Sequence, residues 1–299
     1  MATFNLGQLL IKAYLELGEM QVSVATGGGA SSITDTTLIN AFGDGSFTPG
    51  GAVFVVRDAA LMGTAPENEF LRITAFAIDT GVFTLAGSFS ASIGAGDEYG
   101  YVSGYYPIRT AIQLANAALR ELGDVPLRDT TTLDSVAGQT EYSASASWKR
   151  RPPYKIDLQM ITDDSLDNQW RTIYDWYYEP GAAGAAGRIV FKSYLPDARD
   201  IQVWYQDSHP ELTSYASYIN EVHDPEIVVL ATCEKMLAWK NGQLRGSDAY
   251  LLQKLGEVRT RKQNLQAQRP KWQPPRTPKL MIVEGVEYPP THFTYPSPP

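Results

Sequence analysis

Amphipathic helical spacing occurs in only three separated stretches of this chain, and that distribution constrains the fold more than any other feature. From about Thr3 to Leu17, Leu6, Leu9, Leu10, Ala13, Tyr14 and Leu17 recur at three- and four-residue steps, and Gly18 follows as a stop. From Pro107, suited to a first helical turn, to Leu122, a second stripe holds Ile108, Ala111, Ile112, Ala115, Ala118, Leu119 and Leu122, and ends on Gly123. Helices return at Asp224, an expected N-cap with Pro225 behind it, and this third helix closes at Gly242. A fourth, capped by Ser247, carries Leu251, Leu255, Val258 and Leu265 to about Gln268, and Gly256 inside it predicts a close contact. Such stripes gain stability by burial, so residues 1–19, 106–123 and 221–269 are expected to pack as one four-helix bundle. The first two helices share Leu9/Leu114, Ala13/Ala118, Glu16/Glu121, Leu17/Leu122 and Gly18/Gly123 at one offset, which suits neighbours with β material inserted between them.

What lies between the helices reads as strand and turn. The chain has 17 Tyr, 6 Trp, 25 Gly and 19 Pro in 299 residues, a mix that favours pleated surfaces punctuated by turns. Residues 20–105 hold runs at Ala52–Val56, Phe70–Ile78, Val82–Leu85 and Tyr99–Val102, with Asp79-Thr80-Gly81 as a tight turn. They predict a small barrel or sandwich, with Gly27-Gly28-Gly29 as a surface loop. Residues 124–220 predict a second β module. There Ile156, Leu158 and Met160 alternate with Lys155, Asp157 and Gln159, the pattern of a half-buried strand. Further strands are expected at Trp170–Tyr178, Arg188–Tyr194 and Ile201–Tyr205, the last two as a hairpin turned by Leu195-Pro196-Asp197. The class is therefore α+β.

The charge is uneven. The chain is −8 overall, which opposes global nucleic-acid binding, yet Arg245–Lys279 carries nine Lys/Arg against Asp248 and Glu257. Arg259, Arg261, Lys262, Arg269 and Lys271 in this stretch form either a solvated helix face or a docking surface for DNA phosphates or an acidic partner. After Arg269 the composition changes: nine of the 19 prolines fall in residues 270–299, among Trp272, Tyr288, Phe293 and Tyr295. Such a run is neither helix nor inner strand, so it predicts an extended arm, with a disordered tail as the alternative to an arm whose aromatics dock on a partner.

Familiar catalytic arrangements are missing. His209, His223 and His292 fall in different predicted elements without ligand-spaced neighbours, and the one cysteine, Cys233, sits on a helical apolar stripe as a small core residue. There is no nucleophile elbow, phosphate loop or zinc-protease motif. Asp163, Asp164 and Asp167 read as a solvated turn, with a weak Ca²⁺ site as the alternative, and Gly181–Gly187 reads as a flexible loop. No cofactor or metal is expected, and no enzyme. The longest apolar run, Ile227–Cys233, is too short for a membrane span, and no signal peptide is visible at the N-terminus.

From the second helix onward the order of motifs resembles the head-to-tail adaptor (connector or neck) proteins of tailed bacteriophages. The resemblance rests on Ala115-Asn-Ala-Ala-Leu-Arg-Glu-Leu-Gly-Asp124, Val136-Ala-Gly-Gln-Thr-Glu-Tyr142 and Trp170-Arg-Thr-Ile-Tyr-Asp-Trp176. It continues through Arg188-Ile-Val-Phe191, Ile201-Gln-Val-Trp-Tyr205, His209-Pro-Glu-Leu-Thr213 and His223-Asp-Pro-Glu-Ile227, covering residues 106–245. It implies a helical bundle with β insertions, assembled as a homo-oligomeric ring, typically of twelve subunits, around a DNA channel at the head–tail junction of the virion. The implied partners are the portal protein, a tail or second neck protein and, transiently, packaged DNA, with no membrane contact. Trp272, Tyr288, Phe293 and Tyr295 would bind the portal or a neighbouring subunit. The insert at 20–105 and the proline-rich arm depart from the family pattern. The rival expectation is a β-rich tail, tail-tube, baseplate or receptor-binding component.

Overall fold

The computed structural model describes residues 4–43, 45–60, 62–148, 151–160, 170–181, 187–269 and 273. Its helices are α1 (Leu6–Leu17), α2 (Ile108–Leu122), α3 (Pro225–Gln243) and α4 (Ala249–Gln268). Asn5 caps α1, accepting from the Gln8 N–H while the Gln8 side chain returns to the Asn5 N–H. Gly18, at φ 74°, closes it with a Schellman turn in which the Glu19 N–H reaches the Tyr14 carbonyl. Pro107 stands just before α2, whose first N–H is taken by the Gly50 carbonyl of the insert. Asp224 caps α3 as expected, with Pro225 as its first residue.

Two helix ends differ from expectation. α3 runs through Gly242, and the left-handed residues that stop it are Arg245 and Gly246. Asp248, not Ser247, caps α4, because its carboxylate takes both the Tyr250 and Leu251 N–H groups while the Ser247 hydroxyl turns back to the Leu244 carbonyl. Gly256 needs no close neighbour: a Cβ there would meet open space.

All four helices share one core. Leu10, Leu17, Leu119, Val229, Leu237, Leu251 and Leu255 are buried in it as expected, together with Tyr14, Cys233 and Met236, while Ile112 is only half-buried. No helix among the described residues is long and apolar enough to cross a membrane.

The insert holds β1 (Met20–Val24), β2 (Gly27–Gly28), β3 (Ser32–Thr34), β4 (Ala52–Arg57), β5 (Phe70–Ala77), β6 (Val82–Leu85) and β7 (Glu98–Val102). These pair in the order β1-β7-β4-β5-β6-β3-β2. The two edge strands of that order, β1 and β2, are joined by only Ala25 and Thr26, so the sheet curls round into a partly open barrel whose ends are linked by the chain and, among the described residues, by no ladder. Inside lies an aromatic cluster of Phe47, Phe76, Phe83, Tyr99 and Tyr101. Gly27 and Gly28, expected in a loop, form β2 because Gly28 must lie against the Ser32 carbonyl opposite. The barrel is not separate from the bundle. Met20, Ala52, Phe54 and Val102 belong to the helical core, and Gly7 on α1 lets the Asn68 carbonyl approach where a Cβ would overlap it.

The second module holds β8 (Asp124–Asp134), β9 (Glu141–Ser143), β10 (Lys155–Gln159), β11 (Trp170–Ile173), β12 (Trp176–Glu179), β13 (Arg188–Phe191) and β14 (Asp200–Ser208). One sheet runs β11-β10-β14-β8 and the other β12-β13-β9, and both contribute to a core around Trp148. It is a sandwich. Three strand expectations are corrected. Trp170–Tyr178 is broken at Tyr174-Asp175 into strands of different sheets. Arg188–Tyr194 and Ile201–Tyr205 are not a hairpin: the Pro196-Asp197 link crosses between sheets, held by the Ser135 hydroxyl and the Ala137 N–H. And β10, a central strand, buries Asp157 as well as Ile156 and Leu158, the carboxylate being satisfied by Lys155 at 2.8 Å, Thr172 Oγ1 at 2.7 Å and Trp204 Nε1 at 2.8 Å.

Candidate interaction surface

Four of the basic residues singled out in the sequence, Arg259, Arg261, Lys262 and Arg269, lie on α4 or at its end, where they meet carboxylates of α1, α2, α3 and the α3 N-cap. Arg259 Nε is 2.8 Å from Glu234, and Lys262 Nζ is 2.5 Å from the other oxygen of the same carboxylate. Burial pushes the Glu234 carboxyl up, but hydrogen bonds from Lys262 and Arg259 outweigh it, and the net direction is down. Arg261 bridges Glu16 at 2.7 Å and Glu226 at 3.0 Å. Arg269 pairs with Asp224 and, at 3.4 Å, with Glu226. Each of these four cations is therefore compensated within the subunit, and together they pin α4 to the other helices. Lys254, on the inner side, caps α1 instead, its ammonium donating to the Leu17 carbonyl at 2.8 Å. Lys271 and the aromatic candidates Trp272, Tyr288, Phe293 and Tyr295 lie outside the described residues, as do Asp163, Asp164, Asp167, His292 and the centre of the Gly181–Gly187 loop.

Between α1, the first turn of α3 and the end of α4 runs a groove of about 640 Å³. Leu15, Pro225, Val229 and Leu230 supply its apolar lining, and Lys12, Glu16, Asp224, Glu226, Arg261 and Arg269 its charged rim. Leu15 is 46% exposed, although the other leucines of α1 are buried. The sequence offered a signal for this groove, since Leu15 is an apolar residue lying off the α1 stripe. The carboxylates that partner the basic residues carried none.

A second constellation joins the sandwich to the bundle. The strap from His209 to Ile219 crosses α1 and α2: the Leu6 and Gly7 N–H groups donate to the Ser217 and Tyr215 carbonyls, and the Ile219 N–H donates to Phe4. Buried Asn116 on α2 grips it twice, donating to the Leu212 carbonyl at 3.0 Å and accepting from the Leu212 N–H at 2.8 Å. His209 and His223, placed apart by sequence reasoning, stack with ring centroids 6.0 Å apart. The Asn220 N–H donates to His209 Nε2, so the proton sits on Nδ1, which faces the Pro210 carbonyl at 2.7 Å. Burial lowers the pKa of both rings, and His209 adds to the lowering at His223, which falls to about 4.

Two further buried polar groups are satisfied within the fold. Asp35, buried in the barrel, accepts from Ser23, Thr37 and Tyr99; burial raises its pKa but these bonds prevail and lower it. Cys233 is buried against the Ala13 carbonyl, and burial pushes its thiol up to about 12, far from a reactive thiolate. Among the described residues, no three His, Cys, Asp or Glu side chains are grouped so as to hold a metal ion. Exposed tyrosines occur on the sandwich, at Tyr174 (74%), Tyr194 (70%) and Tyr177 of β12, and also at Tyr218 on the strap and Tyr250 on α4. Compared with models of known protein families and with curated protein sequences, the chain matches none.

Proposed function

We propose that this chain is a structural virion protein of a tailed bacteriophage, one subunit of a ring-shaped head-to-tail adaptor between portal and tail with a channel for DNA. The observation that carries this reading is the spatial meeting of the segments on which the resemblance rests: Asn116 of the second helix grips Leu212, and His209 stacks on His223. A motif order held together by its own contacts behaves as one unit rather than as scattered coincidences. The architecture supports the same reading, with two β modules on a rigid bundle offering separate surfaces to neighbours in a closed ring. The role is mechanical and binding, with no catalytic step. Its partners are further copies of itself, the portal, a tail or second neck protein and passing DNA.

Electron microscopy of the purified protein and of intact particles tests this. Closed rings, and density for this α+β subunit at the head–tail junction, are the expected result. Monomers or trimers at fibre tips would overturn it. They would favour the second reading, a β-rich tail, baseplate or receptor-binding component, which draws support from the exposed Tyr174, Tyr177 and Tyr194.

A further inference from the structure

The groove on the bundle and the start of the C-terminal arm share a residue. Arg269 lines the groove, and it is also the last residue before the proline-rich sequence Pro270-Lys-Trp-Gln-Pro-Pro275. Its backbone is extended, at φ −112° and ψ 112°, so the helix has already ended there. Its guanidinium is tied to Asp224 and Glu226 on the opposite wall. We propose that the groove receives Pro270–Pro275 of the same chain, with Trp272 as the anchor over Leu15 and Val229. The proposal stands independently of the adaptor reading.

Three observations support this occupant over any other. The first is reach: Trp272 is three residues beyond Arg269, within about 10 Å in an extended chain, and the groove begins at Arg269 itself. The second is fit. A volume of about 640 Å³ lies within the range that holds a few side chains, and half-exposed Leu15 offers apolar surface to an indole and proline rings. The third is entropic. Prolines at 270, 274 and 275 restrict the free segment, so docking it orders little that was loose. The 24 residues beyond Pro275, with Tyr288, Phe293 and Tyr295, keep a reach of roughly 75 Å at about 3.1 Å each, enough for a second body.

Trypsin digestion of the full-length protein under native conditions tests this, with every site's rate divided by that of an isolated peptide spanning 266–285. Cleavage after Lys271 should be slowed at least ten-fold more than cleavage after Lys279, which follows the segment proposed to dock. Leu15→Asp and Trp272→Ala should each abolish that difference. Equal normalised rates at the two sites in the wild type would overturn the proposal, as would slowing that survives both substitutions. Slowing that increases with protein concentration would also overturn it, because the groove would then be filled by the arm of another copy. If Leu15→Asp fails to fold, Trp272→Ala decides the matter.

Discussion

His209 works as a joint because its two ring nitrogens have opposite duties. Nε2 accepts from the Asn220 backbone while Nδ1 faces the Pro210 carbonyl, so a second proton would turn an acceptor into a donor against an N–H group. His223, stacked on it with Nε2 buried and without a hydrogen-bond partner among the described residues, resists charging as well. A histidine held neutral by the fold takes its proton more readily once unfolded, so acid favours the unfolded chain. Stability from this pair is complete above the ordinary histidine value of 6.5 and drains as pH falls toward about 4. The urea midpoint should therefore fall between pH 7.5 and pH 5, and fall less in His223→Gln; equal drops in both proteins would exclude His223 as a cause. Asn116→Ala is a sharper lesion, since it strands the Leu212 N–H and carbonyl and should cost about 2–4 kcal/mol by urea unfolding. Both partnerships link residues 96 apart or brought together by the strap, which is why the sequence displayed Asn116 and His209 as motif letters but not what they touch.

At the scale of elements, two kinds of contact hold α4 and α2 in the bundle, and they differ in worth. Leu119 on α2 is 1% exposed among helix side chains, so Leu119→Ala should cost about 2–5 kcal/mol. Arg261 on α4, half-exposed in its two ion pairs, should cost less than about 1 kcal/mol as Arg261→Ala, with the loss shrinking at high salt. Chemical denaturation of the two variants, each at low and high salt, separates them; a salt-dependent loss at Leu119 would mean its face is not packed. Helices were legible because their periodicity is local: the stripes ending on Leu17, Leu122 and Leu265 all face the shared core. Strand partners were not. Pro196-Asp197 has the chemistry of a turn whether the chain folds back or crosses to another sheet, and only Ser135 and Ala137, more than fifty residues earlier, decide between them. The basic face was likewise readable as charge, while the carboxylates that answer it, Glu16, Asp224, Glu226 and Glu234, come from other helices.

For the whole molecule, the insert supplies part of the core of the bundle it interrupts. Replacing residues 20–105 by a short Gly/Ser linker would strip Met20, Ala52, Phe54 and Val102 from the helical core and remove the Gly50 carbonyl that receives the α2 N-terminus. That chain should lose cooperative thermal unfolding, as read by circular dichroism, and a sharp transition would show instead that the helices suffice. The sandwich is attached differently. β8 begins immediately after Gly123 at the end of α2, and β14 returns at Ser208, whose register partner is Asp124, so both connections leave from the same end of one long ladder. A force drawing the sandwich away from the bundle is thus divided between two legs lying side by side, and the bonds between them run across the pull and bear little of it. One leg delivers its load straight into α2. The other delivers it through the strap to the start of α1 and to Asn116 together. Tension on the sandwich therefore draws on α1 and α2 as a pair, along a path that is forked within the subunit.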